Sequence, residues 1–557
     1  MRTLYKNARI YTMDPKQLWA EEMMIEDDRI VSIGMVGNIS EKADRVVDCQ
    51  GRMMMPSFID SHCHPGFVSE SMWHVKLPLF DTAEELLTYI KSYASEHPKD
   101  EMPFLCFDYY KTELFDENGP KKEMLDQAVS DRPCIVTDFT EHMNWLNSMT
   151  LDLMEVDKDT PDVDELHVFW RDSEGNPTGW VKERAHAPYL DRVYDKIGWH
   201  PPDALGTEGM KVVMDQMTRW GYAGMFVGFL EAEKEIQSIH ELDIRGNLPF
   251  YYDASVRCDS LSELPEKIAY LKELQRKYTT KHIKLNTIKL FLDGTVASGN
   301  AGMLDPLCND PSGTNCGVTA LEYDELVEYF RICNTEDMDV HIHIVGDRSF
   351  RMICDAVEEL RKVRDDWHIQ VVIAHACLVN KADRKRPREL GISINITPHW
   401  NAGMYGEASM PVIGKKRWLQ QSCFMEMIRS GAQVAFSTDT TSMFEFNRSN
   451  PFWGIQCGLT RVDIEYPLDP EKYPGSVMPP ENEKIPLGCA LKGFTLEGAR
   501  QMRIADITGS LEVGKKANFI ILSDNCFKVS PFEIKNIEVI CSVFEGKVTY
   551  RKTIAML

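Results

Sequence analysis

Eight short runs rich in apolar and β-branched residues recur between residues 53 and 440: MMMPSFIDSHCH, GYAGMFVGF, NLPFYYDASVR, LNTIKLFLDG, MDVHIHIVGD, IQVVIAHA, GISINITPHW and QVAFSTDT. Each has the length and residue types of a strand. Segments with helical spacing lie between many of them, among them LSELPEKIAYLKELQRKY, YDELVEYFRICNTE and SFRMICDAVEELRKVRD. Strands joined through helices pair in parallel, and eight such units point to an α/β fold closed into a (β/α)8 TIM barrel. An open, doubly wound sheet is the structural rival. No G-x-G-x-x-G follows any of these runs, so its dinucleotide-binding version has no support.

Residues 1–55 read as short strands split by charged turns, in TLYKNARIYTM, EEMMIEDDRIVSIG and DRVVDCQGRMMM. Residues 505–557 share that character in SLEVGKKANFIILSD and IEVICSVFEGKVTYR. The two ends are therefore expected to pair into one small composite β-sandwich, with the barrel in residues 56–504. Between about 67 and 215 the alternation breaks into helix, turn and aromatic segments such as PFLCFDYYKTELF, DFTEHMNWLNSMTL and EGNPTGWVKERAH. These are expected to form a large insertion after the first barrel strand, over the barrel mouth, because the loops on that face carry function.

Against 86 Asp and Glu stand 62 Lys and Arg, a formal net charge of −24 with no basic block to offset it. Nucleic acid and anionic membrane surfaces are therefore not expected partners. No apolar run reaches the ~20 residues of a membrane span, and MRTLYKNARIYTMDPK alternates like a strand where an export signal would run apolar. Fifteen cysteines, an odd number with no C-x-x-C, read as reduced packing residues of a cytoplasmic protein. The expected partner is a small-molecule substrate, and a homodimer is consistent with the sequence.

The first run ends in His62 and His64, which an extended strand points to one side with Cys63 opposite. Fifteen histidines would give about 0.4 such pairs by chance, so the pair alone decides little. The other metal-capable residues fall at matching places: Lys289 late in the fourth run, His341 and His343 in the fifth, His375 ending the sixth, His399 just after the seventh, and Asp439 after the eighth. A closed barrel gathers all those ends on one face. Each residue has a bland competitor. Lys289 would sit in a salt bridge, with Lys284 as the near alternative, His375 would be a bonded core histidine, and Asp439 would cap a helix in STDTT. Chance explains any one of these, and the ordered set poorly.

These positions, together with PSFIDSHCHP, EHMNWLNS, GNPTGWVKE, IKLFLDG, HIHIVGDRSF, VVIAHACLV, FSTDTT and GSLEVGKKANFIIL, resemble the amidohydrolase superfamily. Within it the match is to the amidohydrolase 3 branch, which includes N-substituted formamide deformylase-like proteins, and it runs over nearly the whole chain. The resemblance implies a barrel with a small β-sandwich and a binuclear metal centre. His62, His64 and Asp439 would hold one ion, His343 and His375 a second, and Lys289 would bridge them after carboxylation by CO2. His343 is preferred to His341 because the family's H-x-x-G-D follows it. His142, Trp145 and Glu183 match family positions that contact substrate, with stabilisation of the insertion as the even alternative. Trp400, with Trp73 and Phe444, offers an aromatic pocket wall against a plain packing role.

Imidazole and carboxylate ligands without thiolate suit Zn2+, with Mn2+, Fe2+ or Co2+ as alternatives. The expected reaction is hydrolysis of a C–N bond in an amide, N-formyl or N-acyl compound, with Asp439 moving the proton and His399 steadying the oxyanion. Ser57, Asn518, Thr440 and Thr441 depart from the family pattern. None removes a ligand, but the two threonines alter the loop that carries Asp439 and so bear on substrate class. A mononuclear aminohydrolase that deaminates a heterocycle is a second reading; it would not need Lys289, and it uses a glutamate shuttle where HIHIVGD leads to Asp347. A non-catalytic barrel scaffold is a third, and would not be expected to keep every ligand position.

Overall fold

The computed structural model describes residues 1–39, 42–163, 166–363 and 365–552, so the last residues assigned to the C-terminal sandwich, 553–557, lie outside the described residues. Two compact units divide the chain. One comprises Met1–Ser69, Leu205–Leu292 and Leu321–Leu557, and the other Glu70–Ala204 and Asp293–Ala320. No helix among the described residues is long and apolar enough to cross a membrane.

The first unit is built on an eight-stranded parallel sheet, and each of the eight runs supplies one strand in chain order. The strands are β1 (Phe58–Cys63), β2 (Tyr222–Val227), β3 (Tyr251–Arg257), β4 (Ile283–Phe291), β5 (Asp339–Ile344), β6 (Val371–His375), β7 (Ser393–Ile396) and β8 (Val434–Phe436). The two-residue period of β5 sends Val340, Ile342 and Ile344 into a core shared with Leu326, Phe330, Phe350 and Ile353 of the flanking helices. His341 and His343 are thereby left on the other face. Lys289 of β4 lies in register with His341, and Phe291 with His343.

The sheet nearly closes on itself where β8 meets β1. Ser61 Oγ donates to the Phe436 carbonyl at 2.7 Å, and the Asp439 amide donates to the His62 carbonyl at 2.9 Å. The buried Asp60 carboxylate accepts from both the amide and the hydroxyl of Thr438, at 3.1 and 2.5 Å. This stitching brings the end of the last strand beside the histidines of the first.

The chain ends are interleaved. A six-stranded sheet runs Lys547–Arg551, Val539–Phe544, Phe519–Leu522, Met53–Pro56, Arg9–Tyr11, Trp19–Ala20, with Ile520 paired antiparallel to Met55. A four-stranded sheet holds Arg29–Gly34, Glu22–Glu26, Arg2–Lys6 and Arg45–Asp48. Tyr5, Met23, Ile25, Phe519, Ile521 and Val543 share one apolar cluster drawn from both sheets. Asn518, one of the departures from the family pattern, is bonded at both ends of its amide: its nitrogen donates to Thr508 Oγ1 at 3.1 Å and its oxygen accepts from the Glu545 amide at 2.7 Å.

The second unit has its own six-stranded sheet, in the order Phe169–Arg171, Pro177–Lys182, Met143–Leu146, Cys134–Asp138, Leu105–Tyr110, Val75–Lys76. Leu86, Ile90, Phe107, Leu125, Val136 and Trp145 fill one of its cores. Asp293–Ala320, which the sequence reading had included in the barrel at 56–504, also clusters with this unit. Lys182 Nζ ties it in by donating to the Ser298 carbonyl at 3.1 Å.

Candidate metal centre

His62 and His64 leave β1 on the same side, and their Nε2 atoms stand 3.3 Å apart. Oδ1 of Asp439 is 3.4 Å from each of those nitrogens. Its Oδ2 is 3.4 Å from Nδ1 of His375. Ligands about 2.1 Å from a tetrahedral ion are separated by about 3.4 Å, which is the edge of this triangle. Such spacing is too long for strong hydrogen bonds and right for donors sharing a cation. His62, His375 and Asp439 each offer a ligand atom within 4.8 Å of the others. These residues fit a divalent ion.

A second imidazole pair adjoins the triangle. The His343 ring lies 4.5 Å from the His375 ring between centroids and stacks on Phe291 at 4.8 Å. Lys289 is fully buried, its Nζ 4.7 Å from the Phe291 ring centroid and without a hydrogen-bond partner among the described residues. Lys284 is placed elsewhere, opposite Asp253 of β3.

The buried setting adjusts the charges. Burial lowers the Lys289 ammonium to about 7, against the opposing pull of Asp439. Burial would raise the Asp439 carboxyl, but His375, His64 and Lys289 outweigh it and hold it below the usual carboxylate value. His399 is buried with neither ring nitrogen hydrogen-bonded among the described residues, and burial with Arg448 nearby lowers it to about 3, so it stays a neutral imidazole with an N–H to give. Arg448 is itself held bidentate by Asp463, at 2.8 and 3.0 Å.

The sequence reading expected His341 to support the ligands or fill the core; two other features of this centre, at Gly228 and in the backbone of His375 and Asp439, escaped it. His341 Nε2 lies 2.8 Å from His62 Nδ1, the nitrogen opposite the triangle. Gly228, just past β2, leaves open the space its own Cβ would fill, 2.6 Å from His64 Cε1 and 2.8 Å from His62 Nε2. The glycine in GYAGMFVGF was the available signal. His375 and Asp439 both adopt left-handed backbone, with φ of 71° and 48°, a conformation that costs energy in non-glycine residues and gathers at functional sites.

Residues 45–550 match the family model described as Amidohydrolase family. The chain belongs to the amidohydrolase family. A curated relative, the exoenzymes regulatory protein AepA of Pectobacterium carotovorum subsp. carotovorum, is 27% identical over 444 residues, spanning 78% of this chain and 92% of its own. N-substituted formamide deformylase from Arthrobacter pascens is 21% identical over 574 residues, 98% of each chain. Among solved structures, an uncharacterized metal-dependent hydrolase from Pyrococcus horikoshii OT3 covers 99% of this amidohydrolase and 100% of its own chain, with a TM-score of 0.67 and 20% identity. At that identity the likeness is one of fold.

The remaining candidates of this amidohydrolase divide by environment. In the second unit His142 Nδ1 lies 2.6 Å from Glu183 Oε2, and Glu183 takes left-handed backbone at φ 52°. Trp145 has no exposed surface, and its Nε1 donates to the Lys121 carbonyl at 3.0 Å. It is spent on packing, so the structural alternative replaces substrate contact for this residue. Trp400, in the barrel unit, is half-buried and packs its ring 5.6 Å from Tyr405.

Proposed function

We propose that this amidohydrolase binds two divalent ions, Zn2+ by preference, through His62, His64 and Asp439 and through His343 and His375, with a carboxylated Lys289 between the sets. It hydrolyses the C–N bond of an amide, N-formyl or N-acyl small molecule. The observation that carries this reading is the triangle of His62, His64 and Asp439 donors with edges of 3.3, 3.4 and 3.4 Å. When bound, the ions would polarise a substrate carbonyl and lower the pKa of water toward neutrality. Asp439, held ionised, takes the proton of the attacking water and returns it to the departing nitrogen, a poor leaving group without it. His399 gives its N–H to the carbonyl oxygen as negative charge builds there. Lys289, part neutral near pH 7, adds CO2 through its lone pair and releases a proton, gaining the anionic oxygens an ammonium lacks. The relative named N-substituted formamide deformylase supports the bond class. A cytoplasmic location and a composite sandwich of residues 1–55 and 505–557 complete the reading.

Elemental analysis of the purified protein, with parent and Asp439→Asn assayed on a panel of N-acyl and N-formyl amines, tests it. The parent should carry bound metal and turn over at least one amide, and the variant should fold and lose about 10²-fold or more in kcat. Full activity in the variant would remove Asp439 from the mechanism. The grouping of His62, His375 and Asp439 within 4.8 Å favours a second reading, a single-ion aminohydrolase. One metal per chain and release of ammonia from a heterocycle, with no amide cleaved, would select it.

A further inference from the structure

We infer that the second unit holds its own transition-metal site, formed by His74, Cys106 and Asp108 and suited to Zn2+. Cys106 and Asp108 stand two apart on the strand Leu105–Tyr110 and so project to one face. The neighbouring strand pairs Val75 with Phe107 and Lys76 with Asp108 in parallel, which sets His74, one residue earlier, beside Cys106. An imidazole nitrogen, a thiol and a carboxylate oxygen thereby come within 4.8 Å of one another. The thiol and carboxylate residues are 6% and 2% exposed, whereas the His74 side chain is 20% exposed and leaves a route from solvent. No disulfide engages Cys106.

Two further observations favour a cation over a simple His–Asp pair. Immediately after Asp108 the strand bulges at Tyr109, a non-glycine residue at φ 93°, and such bulges re-aim side chains at sites. Glu141 Oε1 is buried without a hydrogen-bond partner among the described residues, and its carboxylate is near enough to Asp108 to feel its charge. Glu141 lies outside the group of three donors, so water is the candidate fourth ligand. Borderline and soft donors together select Zn2+ over Mg2+ or Ca2+. An ion about 2.0–2.3 Å from each donor needs them about 3.3–3.8 Å apart. His74 Nδ1 and Asp108 Oδ2 are 2.8 Å apart, so loading displaces the proton they share and parts them slightly. The Cys106 thiol loses its proton as the sulfur–metal bond forms.

Cobalt titration of the full-length, chelator-stripped protein tests this site apart from the barrel centre, whose ligand set contains no thiol. The first equivalents of Co2+ should produce a near-ultraviolet thiolate-to-cobalt charge-transfer band. Cys106→Ser should abolish the band and leave the visible bands of the barrel site, and His62→Asn should leave it intact. Asp108→Asn, close to isosteric, should weaken its titration about tenfold or more. Absence of the band at stoichiometric Co2+, or its survival in folded Cys106→Ser, would overturn the proposal whatever the fate of the barrel site.

Discussion

His341 Nε2 and His62 Nδ1 stand 2.8 Å apart across the barrel, though 279 positions separate them in the chain. With Nε2 of His62 on the proposed ion, Nδ1 would carry the proton and donate it to His341. Replacing His341 with Phe keeps the ring and removes the acceptor. Metal affinity, read by competition with a chromophoric chelator, should fall about 10–100-fold, while kcat per bound ion changes less. Unaltered affinity would make His341 a packing residue.

Gly228→Ala puts a methyl group where His62 and His64 stand, with separations of 2.6–2.9 Å that real Cβ atoms do not show. The imidazoles must swing aside. Displacement of about 1 Å at such a site costs on the order of 10² in rate. We expect metal content and kcat/KM to collapse together while circular dichroism stays that of the parent. A variant that keeps its metal would mean the cradle has room to spare.

Stability should fall on the alkaline side of neutrality through His282. Burial opposes its charge, but Glu545 and Asp243, with Asp243 Oδ1 at 2.6 Å from Nδ1, outweigh burial and hold its pKa above the usual value. A group raised on folding stabilises fully below its unfolded pKa of about 6.5, and that contribution disappears as pH climbs through the folded value. The drop in Tm between pH 6 and pH 9 should shrink in His282→Gln. Parallel curves for parent and variant would contradict the assignment.

Asn395 closes a buried network. Its amide nitrogen donates to Ser61 Oγ at 2.8 Å and to Gln501 Oε1 at 3.0 Å, and its oxygen accepts from Ser437 Oγ at 2.7 Å. Asn395→Leu takes from Gln501 Oε1 this donor and from Ser61 and Ser437 one bond each, at a cost of about 1–3 kcal/mol. The urea midpoint should drop with little change in m. A shift below about 0.5 kcal/mol, the size of a neutral surface change, would show that water replaces the side chain.

The strand order was legible because β-branched runs cannot be mistaken for long helices, and because six of the eight runs carried a residue able to take part in a metal site at or just past their ends. His62 and His64 could be assigned to one face from the period of an extended chain alone. Trp145 was not legible: the same indole serves equally in a pocket wall or a core, and only its lack of exposed surface separates the two. Recruitment of Asp293–Ala320 by the second unit was equally hidden, since no local pattern records which distant surface a loop packs on. His74, Cys106 and Asp108 went unnoticed for a related reason: their meeting depends on which strand neighbours Leu105–Tyr110.

What the sequence determined by itself was therefore the set of strands, their order and the chemistry carried at their ends, because backbone propensity and side-chain alternation are local properties. The tertiary structure decided the rest: the left-handed turns that aim His375 and Asp439, the space beside Gly228, and the choice of His341 as the partner of His62. These depend on distances between segments hundreds of residues apart, which exist only once β8 has closed against β1.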